Sequence, residues 1–247
     1  MEITKVAWTA AGHRLTSAAG TVTGNRYDAD YDVVHLDPVR ALAVVADGMG
    51  EGPGSAAAGR TAVDVFTGEA PAHCTPGTLR SAVAKAQQEV RRAGRTLNEL
   101  TGCTLTAFVA DDEAWIVQVG DSRAYRLRNG LLELLTVDHT IAWLGVLHGW
   151  FGYDSPEAKI ARYRLTRYLG HPDDPEPDLL AVTLHPGDVY LLCTDGVADQ
   201  LSYERLTQVL ATVADPGAAV HTLLGDTLTA GGADNATAVV VRVEQTV

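Results

Sequence analysis

Aspartates recur where apolar runs stop or start. Asp47 follows Ala41–Ala46, Asp121 follows Ala114–Val119 and Gly120, Asp195 follows Val189–Thr194, and Asp234 precedes Thr237–Val243. Each has Gly or Asn as a neighbour, and any one of them alone is ordinary turn chemistry. Four together carry more weight. If strand ends from two sheets gather at one edge, their carboxylates converge, and unpaired like charges at that range raise one another's pKa and destabilise the fold. Arg123 is the single Lys or Arg beside these positions, and the eight histidines are scattered with no pair at metal-ligand spacing. An oxygen-only donor set favours a hard divalent ion, Mg²⁺ or Mn²⁺, over zinc or copper.

The elements that must position these acids read as follows. Asp32–Asp37 and Val39–Ala46 predict a hairpin turning at Asp37-Pro38, and Ser55–Phe66 and Thr78–Leu100 carry apolar residues at helical spacing. The runs Thr104–Val109, Ala114–Val119, Arg123–Leu127 and Leu131–Leu135, separated by turn residues, predict an antiparallel meander. His139 to Tyr168 is mixed, rich in Trp, Gly and Tyr, and reads as a flap-like insert. Strands near Leu179–Leu184 and Asp188–Thr194, helices near Tyr203–Val213 and Ala218–Leu228, and a terminal strand Thr237–Val243 complete the chain. Hairpins with helices grouped in pairs do not give the alternation of a parallel doubly wound sheet. The expectation is an α+β fold, a four-layer α/β/β/α sandwich of two antiparallel sheets flanked by helix pairs, in a single domain over 1–247.

Composition narrows the function. With 19 Lys+Arg against 31 Asp+Glu, the formal charge of the 247 residues is −12, and no basic patch breaks the trend, which excludes a nucleic-acid partner. The apolar runs are five or six residues long where a bilayer span needs about 20. The N-terminus lacks the basic start and apolar stretch of a signal peptide, so no membrane association and a cytoplasmic location are expected. Three cysteines, Cys74, Cys103 and Cys193, without a C-x-x-C pair fit neither a disulfide framework nor a thiolate zinc site.

Five ordered blocks give the chain a resemblance. Ala46-Asp47-Gly48-Met49-Gly50, Val119-Gly120-Asp121-Ser122-Arg123-Ala124-Tyr125, Leu135-Thr136-Val137-Asp138-His139-Thr140, Cys193-Thr194-Asp195-Gly196-Val197 and Ala233-Asp234-Asn235-Ala236-Thr237 look like the signature of PP2C-type (PPM) metal-dependent protein serine/threonine phosphatases, bacterial members included. The likeness runs from about Gly20 to Val243. It implies an α/β/β/α sandwich, hydrolysis of phosphoserine and phosphothreonine in proteins by water without a covalent intermediate, and two Mn²⁺ or Mg²⁺ ions with a third, weaker one. Phosphorylated proteins and a Ser/Thr kinase or its targets become the implied partners of a monomer.

Carried over residue by residue, the resemblance makes Asp47 the bridging ligand and Gly48 a carbonyl donor, has Asp195 and Asp234 complete the pair, and gives Asp121 to the third ion. In the N-terminal block, Asp28-Ala29-Asp30 is matched to Asn-Ala-Asp, which makes Asp30 the ligand, with Asp32 the alternative in a shifted register, and Arg26 the phosphate clamp. Some relatives place a histidine two residues after the bridging Asp as general acid; here that residue is Met49. Glu51 stands where many relatives have a glycine. His139 reads as a helix-start residue with Asp138 as N-cap. Two rivals stay open: a catalytically weak or inactive regulatory relative of the same fold, and a dinucleotide-binding enzyme suggested by Gly52-Pro53-Gly54-Ser55-Ala56-Ala57.

Overall fold

The computed structural model describes residues 1–70, 73–99 and 101–244. In chain order the strands and helices are β1 (Ile3–Ala10), β2 (His13–Val22), β3 (Val33–Leu36), β4 (Ala41–Ala46), α1 (Pro53–Glu69), α2 (Pro76–Leu97), β5 (Leu105–Ala110), β6 (Ala114–Val119), β7 (Arg123–Arg128) and β8 (Leu131–Leu134). There follow α3 (Ile141–Leu147), α4 (Pro156–Ala161), β9 (Asp178–Val182), β10 (Val189–Cys193), α5 (Asp195–Ala198), α6 (Tyr203–Thr212), α7 (Pro216–Thr229) and β11 (Ala236–Val243). Leu100, to which the helical spacing extends α2, lies outside the described residues. Among the described residues no helix is long and apolar enough to cross a membrane.

All strand pairings are antiparallel and fall into two sheets, β1-β2-β11-β10-β7-β8 and β3-β4-β5-β6-β9. The period-2 alternation of a strand sends successive side chains to opposite faces, and here each face has its own core. Leu42, Val44 and Ala46 of β4 pack with Ala62, Phe66, Val83 and Val90 of α1 and α2, while Ala43 and Val45 point into the interior between the sheets with Phe108, Tyr190 and Val239. On the far side Leu191, Ala238 and Val240 meet Leu206, Leu210, Val220 and Leu223 of α6 and α7. Three apolar cores separate four layers, as the patterning predicts.

Two features depart from the sequence reading. The hairpin β1–β2 lies outside the sequence reading, because Ser17-Ala18-Ala19-Gly20 at the centre of β2 are small residues with little strand preference. The signal that betrays it is the turn: Ala11 and Gly12 both have positive φ, 49° and 74°, the two-residue geometry that closes a hairpin. The meander is also corrected. β5 pairs with β6 and β7 with β8, yet Gly120–Ser122 carries the chain from one sheet to the other, where β7 pairs with β10. That crossover puts Asp121 at the edge common to both sheets.

At the opposite end the sandwich is held by an ion pair. Asp188, 1% exposed in its side chain, takes a bidentate grip from Arg128 at 2.7 Å through both Nε and Nη2, and accepts the His185 N–H at 2.9 Å. Burial pushes the Asp188 carboxyl upward, but the Arg128 hydrogen bonds, the His185 amide and the guanidinium charge outweigh it and hold the net value below the ordinary 3.8. A carboxylate with a lowered folded-state pKa contributes stability that is complete above its unfolded value and is lost as pH falls through the folded one. Arg128→Met is therefore expected to cost about 3 kcal/mol in urea unfolding at neutral pH, since it strands a buried charge. The gap between variant and parent should narrow once the pH drops below about 4, where Asp188 protonates in the unfolded chain and then in the folded one.

Candidate metal centre

Strand register gathers the acids. Antiparallel pairing sets the C-terminal end of β4 beside the N-terminal end of β5, that end of β5 beside the C-terminal end of β6, and the C-terminal end of β10 between the N-terminal ends of β7 and β11. Asp47, Asp121, Asp195 and Asp234 thus leave the same rim, and all four line one cleft of about 270 Å³ with Gly48, Met49, Tyr27 and Tyr163.

Hydroxyl groups fix the spacing of that rim. The Asp47 N–H donates to Thr104 Oγ1 at 2.9 Å and its carbonyl accepts the Thr104 N–H at 2.9 Å. Thr104 Oγ1 stands 2.7 Å from Ser122 Oγ, and Thr106 Oγ1 donates to the Ser122 carbonyl at 2.7 Å, so β5 clamps the crossover that carries Asp121. On the other sheet Thr194 Oγ1 accepts the Thr237 N–H at 3.0 Å and donates to Asp32 Oδ2 at 2.8 Å. Asn235 anchors the loop before β3, accepting the Gly24 N–H at 3.0 Å and donating to the Ala29 carbonyl at 3.1 Å. Gly196 is needed for closeness rather than for a free carbonyl: a Cβ there would lie 1.9 Å from the Asn235 carbonyl oxygen.

The electrostatics are those of an acidic cluster taken out of water. Burial first, then Asp195, Asp32, Asp121 and Asp234, drive Asp47 well above the carboxylate range. Burial followed by Asp234 and Asp199 raises Asp195 to about 7, and Asp195 and Asp47 stand within hydrogen-bond reach of each other. Asp121 is raised by burial, Asp195 and Asp138. Asp234 is raised by burial, with the Asn235 N–H, Arg26 and the Tyr27 hydroxyl pulling the other way.

The two N-terminal candidates separate. Asp32 is buried, its carboxyl raised by burial, Asp30 and Asp195, and it is one of the charges felt by Asp47. Asp30 Oδ2 accepts Thr21 Oγ1 at 2.6 Å and its Oδ1 accepts the Asp32 N–H at 3.0 Å, and neither Asp30 nor Asp32 lines the cleft itself. Of the two, Asp32 is the one whose charge reaches Asp47 and Asp195. Arg26 lies beside Asp234 in an adjoining pocket and has no hydrogen bond or ion pair with another described side chain.

Asp138 is not a helix cap. It takes the Arg123 guanidinium in a bidentate pair, 2.9 Å to Nε and 2.6 Å to Nη2, while Thr140 caps α3 by accepting the Trp143 N–H. His139 instead sits buried behind Asp121, with Nδ1 accepting the Gly120 N–H at 3.1 Å and Nε2 3.1 Å from Asp178. The glycine-rich start of α1 is not a nucleotide cradle, since the Gly54 N–H already donates to Glu99 at 3.0 Å and the next element is a helix, not a parallel strand. Tyr27, Tyr163, Thr104, Thr194 and Ser122 escaped the sequence reading. For Thr194 and Ser122 the available signal is a hydroxyl residue flanking an Asp-Gly or Gly-Asp block; Thr104 has no such neighbour.

The donor set fits divalent cations. Asp195 Oδ1 is buried with no hydrogen-bond partner, every candidate donor is an oxygen, and four like charges share one rim. Among the described residues no group of three or more His, Cys, Asp or Glu side chains stands close enough to hold an ion by itself. An open rim suits Mg²⁺ or Mn²⁺, which hold several waters and take one or two carboxylates each, better than an ion that needs a full protein cage.

Comparison with known proteins agrees. The Protein phosphatase 2C family model matches residues 23–230. The serine/threonine protein phosphatase PstP of Mycobacterium tuberculosis is 36% identical over 144 residues, which are 58% of this chain and 27% of PstP, so the match spans about a quarter of that relative. The crystal structure of the PstP catalytic domain in complex with two manganese ions superposes with a TM-score of 0.82 at 30% identity, covering 94% of this chain and 99% of that one. PppA, described as a regulatory component of the type VI secretion system in Pseudomonas aeruginosa, gives 0.81 at 31% identity, covering 93% and 97%. With its family model spanning most of its length and its acids gathered on one sheet edge, this chain belongs to the protein phosphatase 2C family.

Proposed function

We propose that the chain hydrolyses phosphoserine and phosphothreonine in proteins, with two Mn²⁺ or Mg²⁺ ions and a third, weaker one. The observation that supports it best is the single cleft shared by Asp47, Asp121, Asp195 and Asp234, with Arg26 alongside. Asp47, the Gly48 carbonyl, Asp195, Asp234 and Asp32 would hold the pair, and Asp121 the third. Bound there, the ions supply Lewis acidity, which offsets charge on the phosphoryl group and makes water a nucleophile near neutral pH.

The chain's own residues set the rest. Arg26, free of other side-chain bonds, is placed to take a phosphoryl oxygen next to Asp234, as a guanidinium does in charge-assisted pairing. Among the described residues no cysteine, histidine or serine lines the cleft, the Thr104 hydroxyl is occupied by Ser122 and the Asp47 amide, and with the carboxylates given to the ions the family's water attack is the consistent route. Met49 lines the cleft but has no proton to give, so the leaving alkoxide takes its proton from water or from another group of the cleft. The implied partners are phosphoproteins made by a Ser/Thr kinase. The inactive-relative reading gains no support from a rim that keeps every acid.

Two outcomes are expected. Saturating Mn²⁺ should raise the melting temperature by roughly 5 to 10 °C, as binding to the folded form alone predicts at about a hundred times Kd. Calorimetry should show that Asp47→Asn removes this uptake and that Asp32→Asn weakens it more than Asp30→Asn does. In turnover, Mn²⁺-dependent phosphate release from p-nitrophenyl phosphate and from a phosphothreonine peptide should fall at least about a hundredfold in Asp47→Ala and Asp234→Asn and about tenfold in Asp121→Ala. Wild-type rates in Asp47→Ala would overturn the two-ion assignment.

A further inference from the structure

A second, narrower slot opens beside the metal cleft, beneath the insert that follows His139. The two share Asp121, Asp195 and Tyr163, so a chain seated at the metal centre meets the slot directly. Ala142, Trp143 and Val146 from α3, Ala158 from α4 and the rings of Tyr153 and Tyr163 form its apolar part, and Arg123, Asp138, Thr140, Arg162 and Asp199 line it as well. These rings are uncovered for their size, with Trp143 41%, Tyr153 63% and Tyr163 76% exposed. Aromatic surface left bare next to a concave apolar wall is the pattern of a recognition site.

The charges that line the slot already have partners. Arg123 grips Asp138 through two hydrogen bonds, and Arg162 reaches Asp199 at 3.3 Å. Neither guanidinium is free to draw in an acidic side chain, and Asp138 and Asp199 each have a cation and no need of a basic one. Asp121 and Asp195 belong to the metal rim. What the slot offers an incoming residue is apolar contact.

We propose that this slot is a subsite for an apolar side chain, aliphatic or aromatic, flanking the phosphoresidue of the protein substrate. The inference rests on the phosphatase reading of the neighbouring cleft. Ala142 and Val146 set the width of the subsite, and the half-exposed Trp143 forms another wall, on a helix whose first turn is capped by Thr140.

A panel of phosphothreonine peptides in a glycine-serine background tests it, with Leu, Phe, Lys or Asp placed in turn at each flanking position. At one position Leu or Phe should raise kcat/KM roughly tenfold over Gly, the size expected for burying one apolar side chain, while Lys and Asp should not. Ala142→Phe and Val146→Trp, which fill the slot, should bring the Leu-to-Gly ratio close to one. Leu147→Ser, on α3 but outside the slot, should leave that ratio as it is. No apolar advantage at any position, or an advantage that survives both filling variants, overturns the subsite. Peptide binding to the Mn²⁺-loaded protein, followed by tryptophan fluorescence, separates the two readings. Apolar-ranked binding without turnover supports the slot and sinks the phosphatase assignment, whereas turnover with equal binding and equal rates for all peptides does the reverse.

Discussion

Repulsion among half-buried carboxylates is the force that the rest of this molecule is arranged to withstand. At an effective dielectric near 20, two unit charges about 4 Å apart oppose each other by on the order of a few kcal/mol, and burial adds to that cost for every acid on the rim. Flexible loops would splay. Instead each acid sits at a strand end locked by two-sided pairing, and short hydroxyl bonds from Thr104, Thr106 and Thr194 tie the strand ends to the segments that carry Asp121 and Asp32. The apolar cores on both faces of each sheet make the frame stiff, so the cost of crowding stays in the site, where cations can relieve it.

Much of this was legible in the residues. Apolar runs ending in Asp-Gly gave the rim, paired helical segments after a hairpin gave the outer layers, and the absence of clustered His or Cys gave oxygen-only chemistry. What stayed hidden was hidden for physical reasons. β2 reads as a small-residue stretch, and one of its two strand partners, β11, lies at the far end of the chain, where local sequence gives no hint of it. The Gly120–Ser122 corner looks like a hairpin turn, since local sequence cannot say which sheet the next strand will join. Asp30 and Asp32 lie two apart, and their separation is decided by tertiary partners that local sequence does not reveal: Thr21 for one, Thr194 for the other.

Asp138 and His139 show the same limit. Side by side before a helix, they read as a cap and a first turn. In the fold, Asp138 turns to Arg123 on β7 and His139 turns inward to Gly120, so this dipeptide braces the far side of the Asp121 corner. Tertiary partners overrode a sound local preference, which is the usual way propensity loses.

The insert between His139 and Thr166 is pinched at its base. Ile141 donates to the Arg164 carbonyl at 2.9 Å, Thr166 donates to the His139 carbonyl at 2.7 Å, and Thr140 pairs with Leu165 across the stem. Entry and exit are therefore one interstrand spacing apart, about 4.8 Å, and closing a longer or shorter excursion through such a neck changes the free energy only slightly. The segment can gain, lose or exchange residues between these two points without transmitting strain to the corner behind it. Evolution can thus rewrite its contents by insertion and deletion while the chemistry beneath is inherited intact.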